Sequence, residues 1–209
     1  MSDIVIPIVF PDYKITVHVP KAEIDVIPYV DFDNFTMPEY KDRLSNLGHA
    51  GVLFINGKTG FTKYFEYGRY DPPANLGIVK KIRSLPDVKV VNGEVVISSL
   101  KAVLSKISKV SGQSSRIEGV YLKVGNKYQE MLNYAIGRKS QNANPQRKPY
   151  DLVSNSCIHF VKELTQKAGV DTPWIIDPRP SSYIGEFRDD FADLDFQNNT
   201  LKIEGLGEF

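Results

Sequence analysis

Three residues in this chain have the chemistry of a nucleophilic site: Cys157, the only cysteine, His49, one of three histidines, and Glu66, seventeen residues beyond it. A thiol becomes a strong nucleophile when a base takes its proton and a third polar group orients that base. In "NSCIHFVKELTQKAG" the residues Cys157, Phe160, Val161, Leu164 and Ala168 share one helical face, while Lys162, Glu163, Gln166 and Lys167 share the other. Ser154 or Asn155 is the expected N-cap, which puts Cys157 in the first turn, where unpaired N–H groups and the helix dipole favour a thiolate. Taken alone, the helix is equally the setting of a buried cysteine that packs as a small hydrophobe, and packing is the commoner role.

The histidines bear on that choice. His18 falls on the polar side of an alternating strand and reads as a solvated residue. His159 follows Cys157 by two residues on one helix, so its ring points away from the sulfur, and a polar or capping contact suits it. His49 is left as the base. It opens a strand whose hairpin partner carries Thr62, Tyr64 and Glu66 on the same face. With a two-residue turn at Gly57-Lys58, Glu66 lies opposite His49; a shift of two residues brings Tyr64 or Gly68 there. Glu66 is the expected orienting group, with Tyr64 and Thr62 behind it, and a solvated strand carboxylate is its alternative role.

These residues must be positioned by a mixed set of elements. "KITVHV" alternates as a half-buried strand, followed by a proline-spaced extended connection. "GHAGVLFINGKTGFTKYFEYGRYD" is a hairpin around a glycine-rich turn, ended by the double proline of "DPPANLG", and "VKVVNGEVV" is a smaller hairpin turning at Asn92-Gly93. A helix capped by a serine opens at Ser98 or Ser99 with Leu100, Val103, Leu104 and Ile107 inward. "IEGVYLKV" reads as a strand. "NKYQEMLNYAIG" is a helix presenting Tyr128, Met131, Leu132, Ala135 and Ile136 and ending at Gly137. The polar, basic stretch "RKSQNANPQRKPYD" is a loop leading into the cysteine helix, and "TLKIE" is a last strand.

Composition narrows the function. The 209 residues, 42% of them hydrophobic, suffice for one domain with its own core, and 26 basic against 25 acidic residues leave a charge of +1. No global field is available to hold nucleic acid or an anionic membrane. One cysteine makes no internal disulfide, and no Cys/His spacing fits zinc; no cofactor is expected. The N-terminal stretch lacks the features of a signal peptide, and no apolar run spans a bilayer, so a protein made in the cytoplasm, without integral membrane association and exported by a route that reads no leader, is the expectation.

"GHAGVLFI" on a strand and, much later, "NSCIHFVKEL" opening a helix resemble the circularly permuted papain-like folds of the NlpC/P60 superfamily, in which the histidine strand precedes the cysteine helix. The lecithin retinol acyltransferase branch has a similar Asn-Cys-x-His-Phe helix start, from which this chain departs by a serine between Asn155 and Cys157. "HAGVLFINGKTGFTKYFEYGRYD" is more similar to bacterial permuted members, among them effectors delivered by type VI secretion into the periplasm of competitors. The resemblance covers roughly residues 49–169. It implies an α+β, permuted papain-like fold over residues 1–209, with an antiparallel sheet packed against helices and the cysteine at a helix N-terminus. It further implies Cys157 as nucleophile, His49 as base, Glu66 as third residue, and a metal-free hydrolysis of peptide bonds in the peptidoglycan stem. An immunity protein and a component of the secretion apparatus are the partners it implies.

Two other classes stand beside this one: an acyltransferase or thioesterase acting on lipid acyl groups, and a non-enzymatic module in which Cys157 is core and "YFEYGRYDPP" binds a protein. Arg69 and Asp71 are read as a hairpin-closing ion pair. Arg138, Lys139, Arg147 and Lys148 form a solvated loop or a rim facing acidic stem peptides, and Trp174 is expected to pack under the C-terminal segment.

Overall fold

A computed structural model describes residues 1–19, 22–25, 34–37, 40–44, 48–70, 76–177 and 179–209, with residues 15–44 described by backbone alone. The elements in chain order are β1 Asp3–Phe10, β2 Ile15–Val19, β3 Ala22–Asp25, β4 Asn34–Met37, β5 Tyr40–Leu44, β6 His49–Ile55, β7 Thr62–Gly68, β8 Ile78–Lys81, β9 Val90–Val91 and β10 Glu94–Val95. They continue with α1 Ile97–Ser111, β11 Ile117–Val120, β12 Leu122–Val124, α2 Tyr128–Ser140, α3 Cys157–Lys167, α4 Pro180–Arg188, β13 Asp193–Gln197, β14 Thr200–Ile203 and β15 Gly207–Glu208.

A nine-stranded antiparallel sheet runs in the order β15-β14-β13-β11-β1-β6-β7-β8, with β12 pairing β1 beyond β11. β2 pairs β5 and β3 pairs β4 as separate ribbons. Strand β1 stands near the middle, and every one of its eight residues is buried. Its even positions Ile4, Ile6, Ile8 and Phe10 meet Leu100, Leu104 and Ile107 of α1. Its odd positions Val5 and Val9 join Phe160, Val161 and Leu164 of α3, Met131 of α2 and Phe187 of α4 on the other face. A strand covered on both faces reads as an unbroken apolar run, with no alternation to mark it. Each of these side chains contributes about 1.5–3 kcal/mol by leaving water.

The antiparallel sheet and flanking helices agree with the α+β expectation, and both hairpins form. The β6–β7 turn is longer than two residues: Asn56 N–H donates to Phe61 O, and Asn56 Oδ1 accepts from the N–H groups of Lys58 and Thr59. The smaller hairpin turns through Asn92 and Gly93 at φ +53° and +83°, the left-handed pair that a two-residue turn of this kind requires.

Several boundaries differ from the sequence expectation. Helix α1 is capped by Val96, not by a serine; Ser99 Oγ instead donates to Val96 O and accepts from Lys89 N–H. Helix α2 passes through Gly137 to Ser140, because that glycine does not take the left-handed φ that would end the helix, and Ile136 lies on its exposed side. "IEGVYLKV" divides into β11 and β12. Trp174 is 83% exposed instead of packed, with Lys162 Nζ 5.8 Å from its ring. The proline-aromatic stretch after Gly169 contains α4, with Pro180 at its first position, where the missing N–H costs nothing. The proposed pair of Arg69 with Asp71, the double proline and the side chain of His18 lie outside the described residues, while the expected extended connection after β2 contains the paired strands β3 and β4.

Candidate active site

The cysteine's position is set by the loop before it. Asp151 Oδ1 accepts from the N–H groups of Val153 and Ser154 and from Ser154 Oγ, at 2.7–3.1 Å, while the backbones of Asp151 and Asn155 pair in both directions. Buried Asn155 donates through Nδ2 to Pro149 O and to Tyr67 Oη, at 2.8 and 3.0 Å, tying this loop to β7. Ser156, one residue beyond the predicted caps, is the N-cap. Its N–H donates to His159 Nδ1 at 3.2 Å and its Oγ lies 2.9 Å from the same nitrogen, so His159 takes the capping role. Cys157 is therefore the first residue of α3, 5% exposed, where the initial N–H groups have no partner inside the helix. Tyr150 Oη stands 4.0 Å from the sulfur.

Arg138 does not belong to a free rim. It pairs with Glu163 and lies over Tyr67 and Phe160, its guanidinium carbon 5.4 and 5.7 Å from their ring centres, bracing the helix from behind. Arg147 and Lys148 donate to the carbonyls of Gly77 and Ser154.

His49 is the first residue of β6. On the sheet it belongs to the α1 face, with Tyr64 and Glu66, whereas Cys157 belongs to the α3 face; at the end of the strands the thiol comes near enough to the imidazole to raise its pKa. Nε2 is engaged 3.3 Å from Glu66 Oε2 and 2.8 Å from Tyr70 Oη, which leaves Nδ1 as the ring's remaining nitrogen. Phe10 stacks on the imidazole at 6.2 Å between centres and Tyr13 tilts against it at 5.1 Å.

The register explains how Glu66 arrives. Gly51 pairs with Glu66 and Ile55 with Thr62, so the ladder extended brings Gly68 opposite His49, with Glu66 on the diagonal. Two glycines open the space. A Cβ on Gly51 would sit 2.3 Å from Tyr64 Oη; without it, the tyrosine lies flat across the strand and donates to Glu66 Oε2 at 3.0 Å. A Cβ on Gly68 would meet the Tyr70 ring at 2.8 Å, so only glycine lets Tyr70 reach His49.

The charges reinforce one another. Burial pushes the His49 pKa down, but hydrogen bonds to Cys157 and Glu66 and the negative charge of Glu66 outweigh it and raise it to about 9. Burial pushes Glu66 up, yet the hydrogen bond and charge of His49 and the Tyr64 hydroxyl hold it below the ordinary carboxylate range. Burial and Glu66 drive Tyr64 and Tyr70 well above 10, so both remain neutral phenols. An imidazolium held between a thiol and a buried carboxylate is equipped to keep a proton close to sulfur and to return it.

The structure thus brings Cys157, His49 and Glu66 together. Tyr64 touches Glu66 and not the imidazole. Thr62 stays in the turn, donating to Gly60 O and accepting from Val88 N–H. Sequence reasoning missed Tyr70, Tyr150 and Asn155. For Tyr70 a signal existed, since it continues the alternation of positions 62, 64, 66 and 68 on the histidine's face. Among the described residues no group of three or more His, Cys, Asp or Glu is arranged to hold a metal ion.

The fold and this cluster define an α+β protein with a cysteine at a helix start facing a buried histidine–carboxylate pair. Residues 5–172 match the model of the type VI secretion system effector TseH-like family, and the chain belongs to that family. It is similar to the crystal structure of the type VI secretion system effector TseH, with a TM-score of 0.74 and 36% identity over 97% of each chain. No curated protein matches it. The chain is thus a type VI secretion effector, and no helix among its described residues is long and apolar enough to cross a membrane.

Proposed function

We infer that this effector is a cysteine hydrolase of the permuted papain-like, NlpC/P60 type that cuts amide bonds in the peptide part of bacterial peptidoglycan. The arrangement that carries this reading is the buried His49–Glu66 pair, Nε2 3.3 Å from Oε2, beside Cys157 at the first position of α3. In this scheme Sγ attacks the carbonyl carbon while His49 Nδ1 holds the proton that sulfur gives up. The carbonyl oxygen gains the charge, and the Cys157 N–H at the helix start donates to it. The imidazolium then protonates the leaving amine as the C–N bond breaks, leaving a thioester. Water, deprotonated by His49, attacks the thioester and releases the acid and the thiol. Glu66 and Tyr70 hold Nε2 throughout, so the ring cannot turn away.

Peptidoglycan as substrate rests on the resemblance of the "HAGVLFI" and "NSCIHFVKEL" stretches, and delivery into a target cell's periplasm fits a secreted effector. An immunity protein and a component of the secretion apparatus belong to the same reading. Expression of the chain with a periplasmic leader tests it: lysis of the host is expected for the parent and not for Cys157→Ala or His49→Ala made to equal levels. Lysis by all three, or by none, overturns it.

A further inference from the structure

Beside the histidine–carboxylate pair, on the side away from Cys157, lies a cleft of about 400 Å³ between β7, β8 and the C-terminal half of α1. Four cations line it: Lys80 and Lys81 from β8, Arg83 just beyond, and Lys106 from α1. Lys80 stands opposite Glu66 in the ladder and caps the Tyr70 ring, its Nζ 3.4 Å from the ring centre. The side chains of Lys81, Arg83 and Lys106 form no ion pair or hydrogen bond with any described residue, whereas those of Lys123, Lys127, Arg116, Arg188 and Lys202 are each matched to a carboxylate. The single carboxylate in the wall, Glu66, is committed to His49 and Tyr64. A chain of almost no net charge has therefore gathered unmatched positive charge in one concavity next to its candidate site.

The rest of the wall is Ser111 with the apolar and aromatic Tyr13, Ile82 and Val110, the last 55% exposed. A ligand that is charged throughout its length would leave these groups facing ions. One that carries carboxylates on aliphatic stems satisfies both parts of the wall, because the cations take the carboxylates and Val110 and Ile82 take the methylenes. The cleft holds a few residues of extended peptide.

We propose that this cleft binds an acidic peptide segment, through Lys81, Arg83 and Lys106, in contact with the Glu66–Tyr70 side of His49. Because the cleft adjoins the His49 side chain's partners, the segment is the carboxylate-bearing part of the substrate, which rests on the hydrolase reading. Binding is measured without turnover: full-length Cys157→Ala is titrated calorimetrically with a tetraglutamate peptide, and with tetraglutamine as the neutral control. Saturable binding of tetraglutamate alone is expected, weakening as salt rises from about 0.05 M to about 0.5 M. The Lys81→Gln, Arg83→Gln, Lys106→Gln combination should weaken it about tenfold or more, which is about 1.4 kcal/mol. These three side chains are exposed, and an unchanged melting temperature shows that the variant folds. No binding, equal binding of tetraglutamine, or equal binding by the triple variant overturns the proposal, whatever becomes of the hydrolase reading. With Cys157 intact, the triple variant tests the assignment to substrate: a raised KM on peptidoglycan fragments at unchanged kcat is expected. An unchanged KM with inhibition by tetraglutamate overturns that assignment in favour of a protein partner.

Discussion

Replacing Glu66 by glutamine keeps the side-chain shape and an oxygen that can accept from Tyr64, but removes the charge that faces His49. In the folded protein the His49 pKa is raised from 6.5 to about 9. At about 1.4 kcal/mol per unit, that rise stabilises the fold by about 3 kcal/mol. Because the folded value lies above the unfolded one, this contribution is fully present below about pH 6.5 and disappears as pH rises through about 9. Against burial, the value is raised first by Cys157 and then by the hydrogen bond and charge of Glu66, so Glu66→Gln should lower the His49 pKa. The variant loses a charged hydrogen bond inside the protein and should be less stable than the parent by about 2 kcal/mol near pH 6. The gap should close or reverse near pH 10, where neutral His49 leaves the parent's buried carboxylate unpaired. It should also shrink at acid pH, since the lowered Glu66 pKa gives stability that is present above its unfolded value and lost as pH falls through the folded one. Urea unfolding across this range, with NMR titration of the His49 ring, measures both quantities. A stability gap independent of pH, or an unmoved His49 titration, would refute the electrostatic account of the pair.

Gly51→Ala drives a Cβ to 2.3 Å from Tyr64 Oη, so it should destabilise by about 1–3 kcal/mol in urea unfolding and loosen the Tyr64–Glu66 contact. Tyr70→Phe removes the hydroxyl 2.8 Å from His49 Nε2; we expect a lower kcat with little change in KM, and a shifted pH profile that a purely structural role would not produce. His159→Ala deletes the acceptor for the Ser156 N–H and should cost about 1 kcal/mol of stability. Trp174→Ser, at a side chain 83% exposed, should change stability by less than about 0.5 kcal/mol on thermal melting.

The parts legible in the sequence were those with a local period. The β6–β7 hairpin alternates, and alternation alone put His49, Tyr64 and Glu66 on one face even though the assumed turn was too short, because the true register differs by two residues and parity survives. The inward face of α3 was equally plain. Strand β1 escaped because both of its faces are covered, which erases the alternation. Helix α4 escaped because its prolines read as irregular chain, although Pro180 starts the helix. The Ser156 cap depends on a reciprocal contact with His159 that a serine-rich stretch leaves ambiguous. That Cys157 and His49 meet, one from each face of the sheet, is a property of how the strands end, and no local pattern encodes it.

The most direct test is mass spectrometry of the fragments released when the purified protein, beside Cys157→Ala and His49→Ala, is incubated with bacterial peptidoglycan. The account predicts new muropeptides, cut at a stem-peptide amide, from the parent alone. An unchanged profile from a folded parent, or the same fragments from Cys157→Ala, would contradict it.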